Sequence, residues 1–492
     1  MKRSALLILA FTVFLDFLGL TLIIPLLPVY ITHYGGNSWI GGLLTGSFAA
    51  MQFLFAPIWG HASDRYGRRP LILMSLIGSA ITYFFFGAAG SLTVLFLARI
   101  GAGILTAASL PTAQAYVADV TPPEKRAGGM ALLGACIGLG FAFGPIVGGK
   151  LSQYSLFGGP PIATPAYVAA ALALLNFVWA FFMLPETHTD RQPTQEKRTA
   201  LDTFSTIVCA LRAPTVGEQL TVYAFGYFAF MAVEASLTWL VVLRFDPVLT
   251  KMAAHAWQSY AHLSFAQLPQ EVRKALPAGI SWPAYAHLPF TAIAPALVRM
   301  LKEKASAQVT SFVMMIVGLT LLVTQGLIMR GLSRRVGEHQ MVMFGSLLLT
   351  VCLVGLAITS SLTVIYIISA GIAVGNGLMM PALSALITHS AGPQERGVLS
   401  GAQQGLASLS RATAPPLNNF LIGLPHGTGI PFFISAILMG VSFVLSLRLR
   451  PLPHRADASP PSESEVQPGD STVSSGEPAA DLPSPPVEAR RE

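Results

Sequence analysis

Four ionisable residues stand inside long apolar runs of this chain: Asp16, Arg99, Glu234 and Arg411. A charge at the centre of a bilayer costs about 2.5–3.5 kcal/mol on insertion scales, so each needs a partner or a wet cavity. An acid whose surroundings alternate between dry and wet changes its proton affinity. Asp16 is therefore a candidate for proton uptake and release, and a nearby Arg99 would lower its proton affinity. Glu234 is a candidate for proton or substrate binding, or for a surface-facing role near the insertion. A static Asp16–Arg99 ion pair that only fixes packing is the alternative use of those two residues. Gln52, Gln114, Gln325, Asn376, Gln403, Gln404 and Arg411 are candidates to line a substrate cavity; such polar side chains also serve as hydrogen bonds between helices. Phe225, Tyr227, Met379 and Met380 suit a bulky apolar ligand or a core. No nucleophile–base constellation or metal-ligand spacing occurs, so the sequence points to no enzyme, no metal and no cofactor. Cys136, Cys209 and Cys352 are scattered and read as packing residues.

These residues need a scaffold that holds them within a membrane. Of the 492 residues, 53% are hydrophobic and 11% charged, far from the roughly 25% charge of soluble proteins. Apolar runs of eighteen or more residues recur along the chain. A backbone in lipid must satisfy its own hydrogen bonds, and continuous rather than alternating runs favour helices over a barrel. Twelve spans are expected: 5–32, 39–61, 70–88, 93–120, 127–151, 164–184, 218–244, 309–331, 339–358, 363–390, 397–423 and 430–448. The first run passes residue 30, holds Asp16 and lacks a small-x-small cleavage site, so it reads as a retained helix. The formal charge of +7 forms no basic stripe with interleaved aromatics, which argues against nucleic acid.

Positive charge instead sets topology. Lys2, Arg3, Arg65, Arg68, Arg69, Lys125, Arg126, Arg191, Lys197, Arg198, Arg212, Arg330, Arg334 and Arg335 fall on one side. The short connections 33–38, 89–92, 359–362 and 424–429 on the other side carry no Lys or Arg. The positive-inside rule places both termini in the cytoplasm. The chain also repeats at a constant offset of 270: Gly67 meets Gly337, Arg65 meets Arg335, Pro111 meets Pro381, Pro123 meets Pro393, Arg126 meets Arg396 and Pro145 meets Pro415. Matching Gly and Pro punctuation implies two parallel repeats with a site between them. The expected fold is all-α, with twelve transmembrane helices in two pseudo-symmetric six-helix bundles, 1–184 and 218–450. A cytoplasmic linker, 185–217, joins them. An external insertion, 245–308, follows the seventh span, and a polar tail, 451–492, is expected to be disordered.

Several motifs carry a family resemblance. GHASDRYGRRPL (60–71) resembles the loop signature of the major facilitator superfamily, and GFAFGPIVGG (140–149) resembles the signature of its drug:proton antiporters. DFLGLTLIIPLLP (16–28), RIGAGILTAASLPTAQAYVAD (99–119) and GNGLMMPAL (375–383) are similar to the twelve-helix tetracycline-efflux branch. The resemblance implies proton coupling through Arg99, with Asp16 as candidate carrier. It implies a gate loop of Gly60, Asp64, Arg65, Gly67, Arg68 and Arg69, in which Asp64 faces the N-terminus of the eleventh helix near Gly397 and Arg65 or Arg68 pairs with Asp119. In the second half Arg334 replaces the acid, so that half should lack the latch. The resemblance also implies a pivot helix through Gly140, Gly144, Pro145, Gly148 and Gly149. Glycines four apart form one ridge for close packing, and the proline kinks the helix.

The leading expectation is a monomeric, proton-coupled exporter of an amphipathic small molecule such as a tetracycline, in the plasma membrane (the inner membrane in a bacterium). A metabolite or sugar carrier uses the same fold, and a non-transporting receptor or scaffold could act through the insertion. In that insertion WQSYAHLSF (257–265) recurs as WPAYAHLPF (282–290). The paired aromatics suit a lipid-interface contact, a lid or an external partner.

Overall fold

The computed structural model describes residues 2–122, 126–156, 161–187, 200–213, 216–277, 281–332, 335–390 and 396–448. The tail, Lys125, Arg191, Lys197, Arg198, Arg334 and the pair Pro123/Pro393 lie outside the described residues.

Among the described residues every regular element is helical. The first half holds α1 (Lys2–Ile23), α2 (Ser38–Tyr66), α3 (Arg68–Gly87), α4 in two segments (Leu92–Thr106 and Ser109–Val120), α5 (Arg126–Leu151) and α6 (Thr164–Met183). The linker carries α7 (Ala200–Arg212). The second half holds α8 (Val216–Arg244), α9 (Asp246–Ala261) in the insertion, and α10 (Pro295–Val323), which continues through a π-helical turn at Thr324–Ile328. It closes with α11 (Glu338–Ile358), α12 (Leu362–Ser390), α13 (Arg396–Ile422) and α14 (Ile430–Ser446). Each of the twelve expected spans contains a helix. Among the described residues eleven helical stretches are long and apolar enough to cross a membrane, and α13 is not one of them. Its Gln403, Gln404, Ser408, Ser410, Arg411, Asn418 and Asn419 dilute its hydropathy.

Sequence explains the local breaks. Asn37 caps α2 by accepting the Ile40 N–H at 3.0 Å, and Ser91 caps α4 at Val94. Pro25 falls in a 3-10 turn, Ile24–Leu26, that re-aims the first helix into the segment Leu27–His33. Pro111 lacks the N–H that would bond the carbonyl four residues earlier, and α4 opens at Ala107–Ala108. In contrast, α5 runs unbroken through Pro145.

The glycine ridge Gly140, Gly144 and Gly148 packs on α1, within the first half. A Cβ on Gly140 would lie 2.9 Å from Phe17 Cβ, and Thr21 Oγ1 donates to the Gly140 carbonyl at 2.8 Å. A different face of α5 meets the other half. A Cβ on Gly149 would lie 2.5 Å from Ser311 Oγ of α10, and one on Gly318 would lie 2.5 Å from Ala142 Cα. The second seam joins α2 to α13, where Gly42 lies under Pro415 and Asn419, and Gly46 under Pro416. Both seams lie toward the insertion end of the helices. Toward the opposite end, Gly60, Gly134, Gly326, Gly331 and Gly401 have open space where a Cβ would stand. The halves meet at these seams near the insertion, and farther along the same two helices a Cβ on Gly60 of α2 or Gly401 of α13 would meet nothing within 4 Å.

The insertion has its own core, and this corrects the lipid-interface reading of its aromatic repeat. Trp257 and Trp282 are buried at 2% and 7% exposure. Their rings cross at 88°, 5.8 Å apart. Trp257 Nε1 donates to the Leu288 carbonyl at 3.0 Å, and Trp282 Nε1 donates to the Leu263 carbonyl at 2.8 Å. Each copy thus bonds the other at the equivalent place. Leu297 and Leu301 of α10 complete this core. The linker helix α7 buries Ile207 and Ala210, while Cys209, expected to pack, is exposed.

Candidate functional site

A cavity of about 380 Å³ lies between the two halves. Its wall is mostly apolar, with Phe48, Phe141, Phe230 and Trp239 among the lining side chains. Asp16 from α1, Arg99 from α4, Glu234 from α8 and Arg411 from α13 all line it. Four ionisable groups scattered across 395 positions of sequence therefore share one chamber.

Asp16 is held by hydroxyls. Ser109 Oγ donates to it at 2.6 Å and Ser79 Oγ at 3.3 Å. The break at Ala107–Ala108 gives Ser109 its place, because Ser109 opens the second segment of α4. The alternative reading, a static Asp16–Arg99 ion pair, finds no such pair among the described residues. Arg99 is 4% exposed and lies over the rings of Phe48 and Phe86, at 5.1 and 5.7 Å. Such cation–π contacts stabilise a desolvated guanidinium by about 2 kcal/mol or more. Tyr83 lies within electrostatic reach of both Asp16 and Arg99. Glu234 lies within reach of Arg411 and of Arg99, one from each half. Arg411 stands 5.8 Å over Tyr227 and makes one long hydrogen bond, 3.4 Å, to Ser408.

Of the polar cavity candidates, Gln52, Gln404 and Arg411 are in the wall. Gln114 and Gln325 are exposed away from it, Gln325 within the π-helical turn. Asn376 and Gln403 are buried outside it, Gln403 donating to Ser384 at 3.3 Å. Tyr227 lines the cavity; Phe225, Met379 and Met380 do not. Sequence reasoning missed Ser79, Ser109 and Asn419. Ser109 was findable, since a proline two residues on promises a loosened turn.

The charged loop forms a knot at the far end of the first half. Gly67 adopts φ 105°, and a Cβ there would meet the Glu186 carboxylate at 2.5 Å. Glu186 accepts the N–H groups of Arg68 at 3.1 Å and Arg69 at 3.2 Å, an anion on the N-terminus of α3. Sequence reasoning missed this residue. Arg68 is the hub: it reaches Ser63 and Asp64 at 2.5 Å and Asp119 at 3.2 Å. Arg68, rather than Arg65, therefore meets Asp119. Arg65 lies over the Tyr66 ring, and Arg69 donates to the Phe181 carbonyl. Asp64 is turned to Arg68 within its own half. Residues 391–395, which precede α13, lie outside the described residues, and Gly397 stands in the first turn of α13.

A family model described as Major Facilitator Superfamily matches residues 9–268 and 284–489. The chain belongs to the Major Facilitator Superfamily. It is a membrane-spanning transporter with small-molecule substrates, not an enzyme. The match is interrupted at residues 269–283, which include Trp282 of the insertion. The chain is 27% identical to the class E tetracycline resistance protein of Escherichia coli over 420 residues, covering 85% of this chain and 87% of the relative. It is 39% identical to the class C protein of the same organism over 196 residues, 39% of this chain and 48% of that relative. The crystal structure of a human organic anion transporter superposes with a TM-score of 0.62 at 22% identity, over 90% of this chain and 99% of that one, and so shares the major facilitator fold.

Proposed function

We propose that this chain is a proton-coupled exporter of an amphipathic small molecule, working by alternating access between residues 1–184 and 218–450. The observation that carries the reading is the placement of Asp16: its carboxylate lines a chamber between the halves, held by two hydroxyls and, among the described residues, by no cation. Such an acid can hold or release a proton as the chamber changes its access. The relatives named for tetracycline resistance support a drug-like substrate. The apolar wall with a few charges suits an amphipathic one.

One proton suffices energetically. A unit charge crossing 100 mV releases about 2.3 kcal/mol, and a tenfold gradient of a neutral solute costs about 1.4 kcal/mol. The arginine-loop end is the cytoplasmic one, as are both termini, and the insertion is external. In that orientation the chamber is closed outside, at the α2–α13 and α5–α10 seams, and the arginine-loop end is released. Asp64 turned to Arg68 fits a latch that closes only in the outward state. Arg99 completes the coupling set, and Glu234, Gln52, Gln404 and Arg411 contact substrate. One chain is the working unit.

The test uses proteoliposomes with an imposed pH gradient and a panel of drugs and metabolites. Wild type should accumulate at least one drug against its gradient, and Asp16→Asn should not. Transport that ignores both the gradient and the substitution would refute the reading. A reporter fused at residue 270 should be external and one at residue 197 internal.

A further inference from the structure

We infer that the substrate carries one acidic group, read by Arg99 and Arg411 across the interface between the halves. The inference rests on the transport reading above and names the chemical class that its site takes.

The argument begins with donors. A guanidinium has five N–H groups and stays charged at any relevant pH. Arg99, nine-tenths or more buried in the cavity wall, makes no hydrogen bond and no ion pair among the described residues; its contacts are the faces of Phe48 and Phe86. Arg411 makes only the long bond to Ser408, and its Nε has no acceptor. Aromatic faces answer the charge but not the directional N–H groups. The wall therefore presents two sets of fork-shaped donors that match an acidic group.

Charge balance agrees. Glu234 is the acid within electrostatic reach of both guanidinium groups. Two permanent positive charges and at most one negative leave the cluster with a net positive charge. Asp16 lines the same chamber but makes no ion pair with either guanidinium among the described residues, so the surplus is a full charge whenever Asp16 holds its proton. In an apolar wall such a surplus is felt strongly by a ligand. A carboxylate or enolate placed between Arg99 and Arg411 would touch both halves at once, and its apolar body would lie against Phe230, Tyr227 and Trp239. Glu234 competes for the same guanidinium groups and so limits the site to one negative charge.

The test measures equilibrium binding to the purified full chain with three fluorescent probes on one scaffold: pyrenebutanoate, its methyl ester and pyrenebutylamine. The part of the tryptophan-to-pyrene energy transfer that Trp239→Phe abolishes reports occupancy, since Trp239 lines the cavity. The acid should bind about tenfold more tightly than the ester, the size expected of one charge-assisted contact, and the amine more weakly still. Arg411→Gln should erase the preference for acid, and Glu234→Gln should increase it. These opposite signs cannot both come from misfolding. Equal or tighter binding of the ester or the amine by wild type would overturn the inference, as would an acid-to-ester ratio unchanged in Arg411→Gln. Transport of the same probes separates the two readings. A protein that prefers the acid but moves it without response to a pH gradient keeps this site and loses the exporter. Gradient-driven movement of the amine with no preference for acid does the reverse.

Discussion

Ser109 in α4 and Met379 in α12 occupy matching places 270 residues apart, each two residues before a proline. In the first half the helix opens there, and Ser109 donates to Asp16. In the second half α12 runs unbroken through Pro381, and Met379 is fully buried against Gly226 and Gly345. The same offset pairs Arg99 with buried Ser369 and Arg68 with Glu338. It also pairs Gly67 at φ 105° with Gly337 at φ −66°. Backbone punctuation has been kept in both halves, and the chemistry has not. A proline removes one hydrogen bond wherever it stands. The outcome depends on whether a polar group uses the loosened turn or an apolar one packs over it. The halves thus divide the work: an acid held by hydroxyls in the first, Glu234 with Arg411 in the second.

The largest test of that division is Asp16→Asn against Glu234→Gln in pH-driven transport. The first should reduce transport to the level of empty vesicles. The second should keep the response to pH and change substrate affinity; an exchange of these two outcomes would break the comparison. Next comes Pro111→Ala against Pro381→Ala. Healing the break in α4 should pull Ser109 from Asp16 and slow initial transport about tenfold, the equivalent of a lost hydrogen bond to a charged group. The change in α12 should alter the rate less than about twofold. Third, Gly67→Ala should lower stability by about 1–3 kcal/mol, from a strained backbone and a clash with Glu186, read as a fall in melting temperature. Gly337→Ala, at an ordinary φ with open space around it, should be neutral or stabilise by up to about 1 kcal/mol. Smallest are Trp257→Phe and Trp282→Phe. Each removes one of two reciprocal bonds, so each should cost about 1 kcal/mol. Unequal costs would show that the two copies are not equivalent.

The helices were legible because apolar length is a local property. The close ridge at Gly140, Gly144 and Gly148 was legible for the same reason, since glycine acts on its own backbone; the break at Pro111 was not, because the span 93–120 reads as one apolar run and Pro145, read as a kink, sits in an unbroken helix. Partners were harder. Asp16 was visible as a buried acid, but its hydroxyls lie 63 and 93 residues away. Hydrophobic periodicity says which face is buried and not what it meets. Arg99 looked like a mate for Asp16 because opposite charges are expected to pair; aromatic faces took that place. Glu186 reads as an ordinary polar residue after a helix until the fold brings the N-terminus of α3 over it. The aromatic repeat of the insertion failed differently: a pair of Trp–Tyr units has the same composition whether it floats at a lipid surface or closes on itself. Gln114 and Gln325 show the limit for single polar residues, since nothing in a span marks which side of it faces the chamber.

One consequence of α10 lies outside the membrane. The stretch Pro295–Ile328 is 34 residues long, about 51 Å at helical rise, well beyond a hydrocarbon core of about 30 Å. Leu297 and Leu301 root the insertion on its head, and Ser311 and Gly318 rest on α5 farther down. Arg299, steadied by Glu303 at 3.1 Å, donates to the Thr32 carbonyl at the end of the first helix. The rod thus extends past the seam on the insertion side, the side proposed to be external. A small tilt of the second half becomes a larger sweep of the tryptophan-cored knob, so a dye on that knob would turn each stroke of the cycle into an external signal.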